Sequence, residues 1–190
     1  MPMDASASLA NQFLIAMPGM DDPDFSGGVA LLCHHGADGA MGLMLNRRSD
    51  FLFGEILAQM GLSTADADLA ARPVLNGGPV APERGFVLHS PEAGPWDSTF
   101  QVSEQIHLTT SRDILEALAR GEGPRHATMA LGYAGWGAQQ LEEELKQHIW
   151  LSVGATPDIV FEQPIDARWK AATRLIGIDP AALSSYSGHA

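Results

Sequence analysis

The chain has 190 residues, of which 45% are hydrophobic and 18% charged, and it carries a formal net charge of −12. These values are typical of a globular protein with a sizeable core and exclude a disordered chain. Affinity for DNA or RNA comes largely from clustered lysine and arginine, yet 11 basic residues stand here against 23 acidic ones. We therefore expect no direct nucleic-acid contact, and the pair Arg47-Arg48 is too small to change this.

The chain contains no linker-like stretch, so we expect one domain over residues 1–190, with residues 1–8 and 184–190 loose at its ends. Cys33 is the single cysteine and cannot form an intrachain disulfide. The N-terminus lacks the apolar run of a signal peptide, and no segment approaches the ~20 apolar residues of a membrane span. These features predict a cytoplasmic protein without a membrane segment.

Two continuous apolar runs, at residues 29–34 and 40–45, flank the segment His35-Gly-Ala-Asp-Gly39. Asp and Gly tolerate the backbone conformations of tight turns, so this pattern predicts a hairpin. Because the runs do not alternate with polar residues, both strands should be covered on both faces. Further short strands are expected at residues 73–75, 86–88, 106–108, 127–131 and 150–153.

Apolar residues recur at helical spacing in four segments, which predicts helices over residues 53–60, 110–121, 138–149 and 166–176. A polar loop is expected at residues 63–72. Suitable N-terminal capping residues precede or open three of the helices: Ser49 or Asp50, Thr110, and Asp166. Strands and helices do not alternate regularly, so we predict a mixed-sheet α+β domain with about four packed helices, not a doubly wound parallel one.

Several segments, taken in order, are similar to the AlgH/YqgE family. They are residues 31–35 (LLCHH), 42–47 (GLMLNR), 76–80 (NGGPV), 132–137 (GYAGWG) with Gln140, Leu141 and Glu144, and the ends at 9–17, 177–180 and 188–190. The resemblance implies a compact α+β fold of coiled and bifurcated β-sheets surrounded by helices. Members are described as uncharacterised bacterial proteins, and a role in transcriptional regulation is attached to one branch. The family supplies no catalytic or binding residues.

The glycine-rich segment 132–137 lies between a predicted strand and a predicted helix, where phosphate-binding loops occur. Its spacing matches neither G-x-G-x-x-G nor G-x-x-x-x-G-K-[ST], and no lysine follows. We interpret the glycines as a tight turn that lets Tyr133 and Trp136 pack. The alternative is a small-ligand pocket lined by Tyr133, Trp136 and Gln140.

The segment Asn76-Gly77-Gly78-Pro79 predicts a turn, because Asn and Gly accept positive φ and Pro fixes the exit direction. Backbone N–H groups in such a segment can also form an anion-binding nest, which is the alternative interpretation.

Cys33, His34 and His35 raise the question of a nucleophile or a metal site. Neighbouring residues of a strand point to opposite faces, and an apolar run disfavours a thiolate, so we interpret Cys33 as a core residue. A redox-sensing role for Cys33 is the alternative.

Glu144 and His148 lie four residues apart on a predicted helix, but two ligands without a third make a weak metal site. We interpret them as an ion-paired surface face and predict no metal and no cofactor. The motifs H-E-x-x-H, G-x-S-x-G and Cys-x-x-Cys do not occur.

Two functions stay open at this point. The first is a non-enzymatic regulatory or interaction protein that acts through another protein or a small ligand, with any effect on transcription being indirect because there is no helix-turn-helix signature and no basic face. The second is a small-ligand-binding protein or an enzyme with a site near Asn46, Asn76 and Trp136. The sequence leaves the oligomeric state open.

Overall fold

A computed structural model describes residues 8–179 together with residues 181 and 182. The segments expected to be loose, 1–8 and 184–190, lie outside the described residues except for Ser8. The strands are β1 (Gln12–Ala16), β2 (Val29–Gly36), β3 (Gly39–Met44), β4 (Arg48–Leu52), β5 (Pro73–Asn76), β6 (Val80–His89), β7 (Thr99–Gln101), β8 (His107–Thr109), β9 (Ala127–Gly137) and β10 (Trp150–Gly154).

Five α-helices have their bounds within residues 8–179: α1 (Phe53–Gln59), α2 (Ala67–Ala70), α3 (Arg112–Ala119), α4 (Gln140–Lys146) and α5 (Arg168–Leu175). A π-helical turn at Asp158–Glu162 and a 3-10 turn at Ile165–Ala167 precede α5. None of the helices in the described part of the chain has the length and apolar content needed to cross a bilayer.

The strands form one sheet in the order β10-β1-β2-β3-β9-β6-β8-β7, in which all neighbours are antiparallel. β5 leaves this path, pairing antiparallel with β4 and parallel with β9. The predicted mixed α+β class is confirmed. The expected count of about four helices is too low, because α2 forms inside the expected loop at residues 63–72.

Asp66 explains the extra helix. Its carboxylate accepts hydrogen bonds from the backbone N–H groups of Asp68 (3.0 Å) and Leu69 (3.1 Å). These are N–H groups that a helix start leaves without an intrahelical partner, so the side chain stabilises the first turn. Leu69 is then buried against the sheet, which anchors a helix of four residues.

The other predicted helices form, but their caps differ from the prediction. Ser49 and Asp50 belong to β4, and α1 starts after Leu52, whose N–H donates to the Glu55 carboxylate (2.7 Å). α3 starts at Arg112, and Ser111 rather than Thr110 is the residue that precedes it. Asp166 does not cap α5, because it lies in the 3-10 turn and pairs with Arg48 at 2.8 Å.

The predicted hairpin is confirmed as β2 and β3, with Leu31 opposite Leu43 and Gly36 opposite Gly39. The residues of β2 from Val29 to Cys33 are all buried, as continuous hydrophobicity indicated. One face of this region, called the first face, packs against the π-helical turn and α5 and carries Phe13, Ile15, Leu31 and Leu43. The second face packs against α4 and carries Leu14, Leu32, Met44 and Trp136.

β9 joins the parts of the sheet, because it pairs with β3, β5 and β6. The predicted strand at 127–131 and the expected turn at 132–137 are one strand of 11 residues. At its middle, β9 is crossed closely by the segment Asn76-Gly-Gly-Pro79. The N–H of Gly77 donates to the Leu131 carbonyl (2.8 Å), and the Gly77 carbonyl accepts from the N–H of Met44 (2.8 Å).

The crossing leaves no space for a side chain at Gly77, Gly78 or Gly132, and a Cβ on Gly77 would collide with the Gly132 carbonyl oxygen. A Cβ on Gly132 would collide with the Gly78 carbonyl oxygen and lie 3.2 Å from the Val80 carbonyl oxygen, and a Cβ on Gly78 would collide with the Tyr133 backbone. Gly132 also has φ +76°, a conformation that costs other L-residues about 1–2 kcal/mol. The glycines therefore serve a backbone-to-backbone contact between two segments far apart in sequence.

Gly132→Ala should be strongly destabilising, and Gly61→Ala is its matched control. Gly61 has nearly the same φ, +75°, but nothing lies within 4 Å of its added Cβ. We expect Gly61→Ala to lower the free energy of unfolding by about 1–2 kcal/mol through backbone strain alone. Gly132→Ala should cost about 1–3 kcal/mol more through overpacking. Equal losses for the two variants in urea titrations would contradict the close crossing.

Candidate functional site

β9 carries Tyr133 and Trp136 to opposite faces of the sheet, because side chains alternate along a strand. The interpretation of residues 132–137 as a tight turn is therefore wrong. Tyr133 lies with the first face and Trp136 with the second. The structure brings Tyr133, Trp136 and Gln140 to two depressions that meet at Trp136 and Gly135.

The first depression, called the Arg84 groove, has a volume of about 590 Å³. Tyr133 packs edge-on against Phe86 at a centroid distance of 5.9 Å, and the Arg84 guanidinium lies 5.4 Å from the centroid of the Phe86 ring. The groove is lined by His34, Asp38, Gly39, Ala40, Met41, Val80, Arg84, Phe86, Tyr133, Gly135 and Trp136. It is an open depression on the sheet rather than an enclosed pocket.

The second depression, called the tryptophan cleft, has a volume of about 340 Å³ and lies on the second face. Its lining residues are Gly19, Met20, Asp21, Asp22, Phe25, Gly135, Trp136, Gln140, Glu144, Ile149 and Trp150. Three aromatic rings meet here. The centroid of Phe25 lies 6.3 Å from that of Trp136 and 5.7 Å from that of Trp150, and the two indoles are 5.9 Å apart.

Glu144 holds this cleft together. Its Oε1 accepts hydrogen bonds from Nε1 of Trp136 (3.0 Å) and Nε1 of Trp150 (2.9 Å), and its Oε2 accepts from Nε2 of Gln140 (2.9 Å). Hydrogen bonds to an ionised acceptor are stronger than those between neutral groups. One carboxylate from α4 therefore fixes the orientation of two indoles from β9 and β10.

The interpretation of Glu144 and His148 as an ion-paired face is wrong for Glu144, since that carboxylate binds tryptophans and Gln140. His148 lies beyond the end of α4 with φ +58°. Within the residues that the structure describes, no group of three or more His, Cys, Asp or Glu is placed to hold a metal ion.

The side-chain amide of Asn46 is bonded to the distant segment 27–29, and that of Asn76 to its own turn. The Asn46 oxygen accepts from the N–H of Val29 (3.0 Å), and its nitrogen donates to the Gly27 carbonyl (2.9 Å). The Asn76 oxygen accepts from the N–H of Gly78 (3.2 Å), and the N–H of Gly77 already donates to Leu131. The N–H groups that an anion nest would use, those of Gly77 and Gly78, are thus already hydrogen-bonded to Leu131 and Asn76.

The structure separates the side chains of Cys33, His34 and His35, which lie in three different surroundings. A bulge in β2 between Leu32 and His34 interrupts the alternation that we assumed. Cys33 enters the core of the first face, and burial raises the pKa of its thiol to about 12. His34 is exposed in the Arg84 groove. His35 Nδ1 accepts from the N–H of Leu9 (3.0 Å), so Nε2 carries the proton that it donates to Glu142 (2.9 Å).

Sequence reasoning missed His89, which is 1% exposed at the end of β6. Its Nδ1 donates to the Ser90 carbonyl (2.7 Å), so its Nε2 accepts from the Thr109 hydroxyl (2.6 Å), which in turn contacts the Thr99 hydroxyl (2.8 Å). Burial lowers the pKa of His89, and the nearby His107 lowers it further. The sequence offered no signal, because the partners come from strands 10 and 20 residues away.

Sequence reasoning also missed a groove between α1 and α3, called the α1–α3 groove, with a volume of about 690 Å³. Its floor is the β6–β9 pair and its walls are the two helices. It is lined by Phe51, Ile56, Gln59, Met60, Pro82, Glu83, Gly85, Val87, Thr109, Thr110, Ser111, Arg112, Leu115, Met129 and Leu131. Arg112 joins the walls by donating to the Met60 carbonyl (2.8 Å) and pairing with Glu116 (3.1 Å).

The Cys33 thiol should be nearly inert in the folded protein. The thiolate is the reactive species, and a pKa of about 12 leaves little of it at neutral pH. At pH 8 we expect alkylation by iodoacetamide to be on the order of 1,000-fold slower in the native than in the unfolded chain. Mass spectrometry of this single thiol gives both rates. Native alkylation at the unfolded rate would instead support the redox-sensing alternative.

Buried His89 should make stability depend on pH. Its pKa is lowered from 6.5 in the folded state, so as the pH falls below 6.5 the unfolded chain takes up a proton that the folded chain does not. The free energy of unfolding should therefore fall between pH 7 and pH 5 in the wild type. The side chain of His89→Gln does not titrate. The free energy of unfolding of this variant, measured in urea titrations, should therefore fall less over the same pH range. Identical slopes for the two proteins would contradict the assignment.

Comparison with known proteins shows which family shares this sequence and architecture. A profile of the AlgH-like family matches residues 13–181. A UPF0301 protein of Stenotrophomonas maltophilia strain R551-3 is 54% identical over 182 residues, and one of Xanthomonas campestris pv. campestris strain B100 is 53% identical, each match covering 96% of both chains.

Two solved structures are similar along nearly the whole chain. The solution structure of the AlgH protein from Pseudomonas aeruginosa superposes with a TM-score of 0.79 at 40% identity, covering 97% of both chains. A crystal structure of a Corynebacterium diphtheriae protein, at 20% identity, shares the fold with a TM-score of 0.73, covering 97% of this chain and 94% of that one. The matched range of the profile includes the segments 31–35, 76–80 and 132–137 that carried the resemblance, and with relatives above 50% identical the chain belongs to the AlgH-like family.

Proposed function

We propose that this chain is a non-enzymatic interaction protein of the bacterial cytoplasm that binds a partner protein in the α1–α3 groove. The observation that carries the proposal is the composition of this groove. Its floor and walls are apolar, formed among others by Ile56, Val87, Leu115 and Leu131. Grooves of this kind accept the apolar face of an amphipathic helix.

Two features of the groove support a protein occupant. Phe51 at its edge is 38% exposed, and aromatic side chains are the usual anchors of protein interfaces. Met60 and Met129 also line it, and the flexible, polarisable methionine side chain adapts to the shape of a bound side chain.

The charge around the groove indicates which helix would bind. Arg112 is already paired with Glu116, whereas Glu83 at the edge takes part in none of the ion pairs of the described residues. The chain as a whole carries a charge of −12, which attracts cationic partners over a distance. The proposed occupant is an amphipathic helix with basic residues beside its apolar face.

A role in transcriptional regulation would then act through the bound protein. The same acidic surface repels the phosphate backbone of DNA, so the regulatory step would be a protein contact rather than operator binding. This keeps the regulatory role proposed for the family compatible with the charge of the chain.

A second candidate function is small-ligand binding near Trp136. The tryptophan cleft favours it, since Trp136 and Gln140 line one concave site. Asn46 and Asn76, which we expected near the same site, do not line the cleft; the Asn46 amide is bonded to Gly27 and Val29, and the Asn76 oxygen to the N–H of Gly78.

The interaction function is tested by placing a photo-crosslinking phenylalanine analogue at position 51, and at position 100 as the matched control. Phe100 is 46% exposed, lies on β7 and does not line the groove. We expect position 51, and not position 100, to crosslink one bacterial protein repeatedly. Binding should then be reconstituted with that purified protein, because capture alone does not establish a partner.

With the purified partner, Phe51→Glu should weaken binding by about 30-fold or more, the loss of about 2 kcal/mol that an interface anchor contributes. Phe100→Glu should leave the affinity unchanged in the same calorimetric titration. Equal affinities for both variants, crosslinking only from position 100, or capture of nucleic acid in place of a protein would contradict the proposal.

A further inference from the structure

The tryptophan cleft combines aromatic walls with acidic groups. Phe25, Trp136 and Trp150 form its aromatic side, with all three ring centroids within 6.3 Å of one another. Asp21, Asp22 and Glu144 line the same cleft. Aromatic faces attract cations through the ring quadrupole, and tryptophan does so most strongly. Both halves of the lining thus favour positive charge.

The acidic groups of the cleft have no cationic partner within the described part of the chain. The ion pairs found there are His35–Glu142, Arg48–Asp166, Arg112–Glu116 and Arg120–Glu122, and none includes a residue of the cleft. The donors to Glu144 are neutral indole and amide groups. Its negative charge is therefore hydrogen-bonded but not neutralised, next to rings that exclude water.

The geometry distinguishes an organic cation from a metal ion. A metal site needs three or more convergent ligands, and residues 8–179 contain no such group of His, Cys, Asp or Glu. A hard metal ion would also have to give up hydration water in order to lie next to aromatic rings. A large cation with dispersed charge keeps little water to lose, so it gains from rings and carboxylates together.

We infer that the tryptophan cleft binds a quaternary or alkylated ammonium group, held by Phe25, Trp136 and Trp150 and by the field of the nearby carboxylates. The inference deepens the ligand-binding candidate, and it is independent of the α1–α3 groove. The volume of about 340 Å³ suits a small head group rather than a large cofactor. Two sources share this chemistry: a free choline-like molecule and the trimethylated lysine side chain of another protein.

The test uses choline and 3,3-dimethylbutan-1-ol, an uncharged molecule of nearly the same shape. Each is titrated into the full-length protein while the indole N–H signals are followed by NMR. The chain has four tryptophans, so Trp96 and Trp169 act as internal controls. We expect choline to shift the signals of Trp136 and Trp150, and the neutral molecule to shift them little. Added salt should weaken the choline response.

Variants then separate the two parts of the lining. Phe25→Leu should weaken choline binding roughly 2- to 30-fold, the range of a cation–π contact. Phe161→Leu is the matched control, because Phe161 is also partly buried and stacks on another ring, that of His126.

Asp22→Asn keeps the acceptor used by the N–H of Asp24 and removes the charge, so it should weaken choline binding as well. Asp50→Asn, which removes a charge from β4, should leave choline binding unchanged.

Peptides with trimethylated and unmodified lysine identify the source of the cation. Tighter binding of the trimethylated peptide than of choline would indicate a protein ligand, and the reverse a free small molecule; either result supports the inference. Equal binding of choline and its neutral analogue would overturn the cation preference but keep ligand binding at the cleft. No shift of Trp136 and Trp150 with either molecule would overturn both.

Discussion

The close crossing of residues 76–79 over the middle of β9 is the constraint on which the rest of the structure depends. It lets Gly77 bridge β3 and β9 through two backbone hydrogen bonds, and it lets β9 change partners from β6 and β5 to β3 along its length. A side chain at Gly132 or Gly78 would push the two backbones apart. Tyr133 and Trp136 follow this crossing on β9, so their positions depend on glycines that line neither the Arg84 groove nor the tryptophan cleft.

Glu144 is the second structural element of the site, and it acts through charge rather than shape. A carboxylate inside a partly buried aromatic cluster costs desolvation free energy unless its lone pairs are hydrogen-bonded. Three neutral donors provide those bonds and join α4, β9 and β10. Neutral donors satisfy hydrogen bonding but leave the net charge in place. The negative charge of Glu144 thus lies beside aromatic rings, and none of the ion pairs among the described residues includes it.

The sequence patterns predicted the elements that form through interactions between residues close together in the chain. The β2–β3 hairpin follows from two apolar runs and a turn-forming segment, and α1 and α3 follow from apolar residues at helical spacing. β9 could not be predicted as one strand, because its glycines are explained by a segment more than 50 residues earlier in the chain. His89 and the α1–α3 groove were missed for the same reason: their partners converge only after the sheet has formed. Glu144 was noticed for the wrong chemistry, since helical spacing to His148 says nothing about tryptophans on two other strands.

The two proposed binding surfaces lie on different parts of the sheet, yet both select by the same physics. Each offers apolar or aromatic area together with carboxylates that no cation of the described chain neutralises: Glu83 at the groove, and Asp21, Asp22 and Glu144 at the cleft. Apolar area alone would bind many partners, and negative charge alone would bind counterions. The proposed combination would select against neutral ligands, which gain nothing from the field, and against hydrated metal ions, which would have to lose water against apolar walls. Glu83, Asp21 and Asp22 are exposed, so solvent and salt screen their charge, whereas Glu144 is partly buried and its field is screened less. Glu144 is therefore the carboxylate that contributes most to a preference for cations.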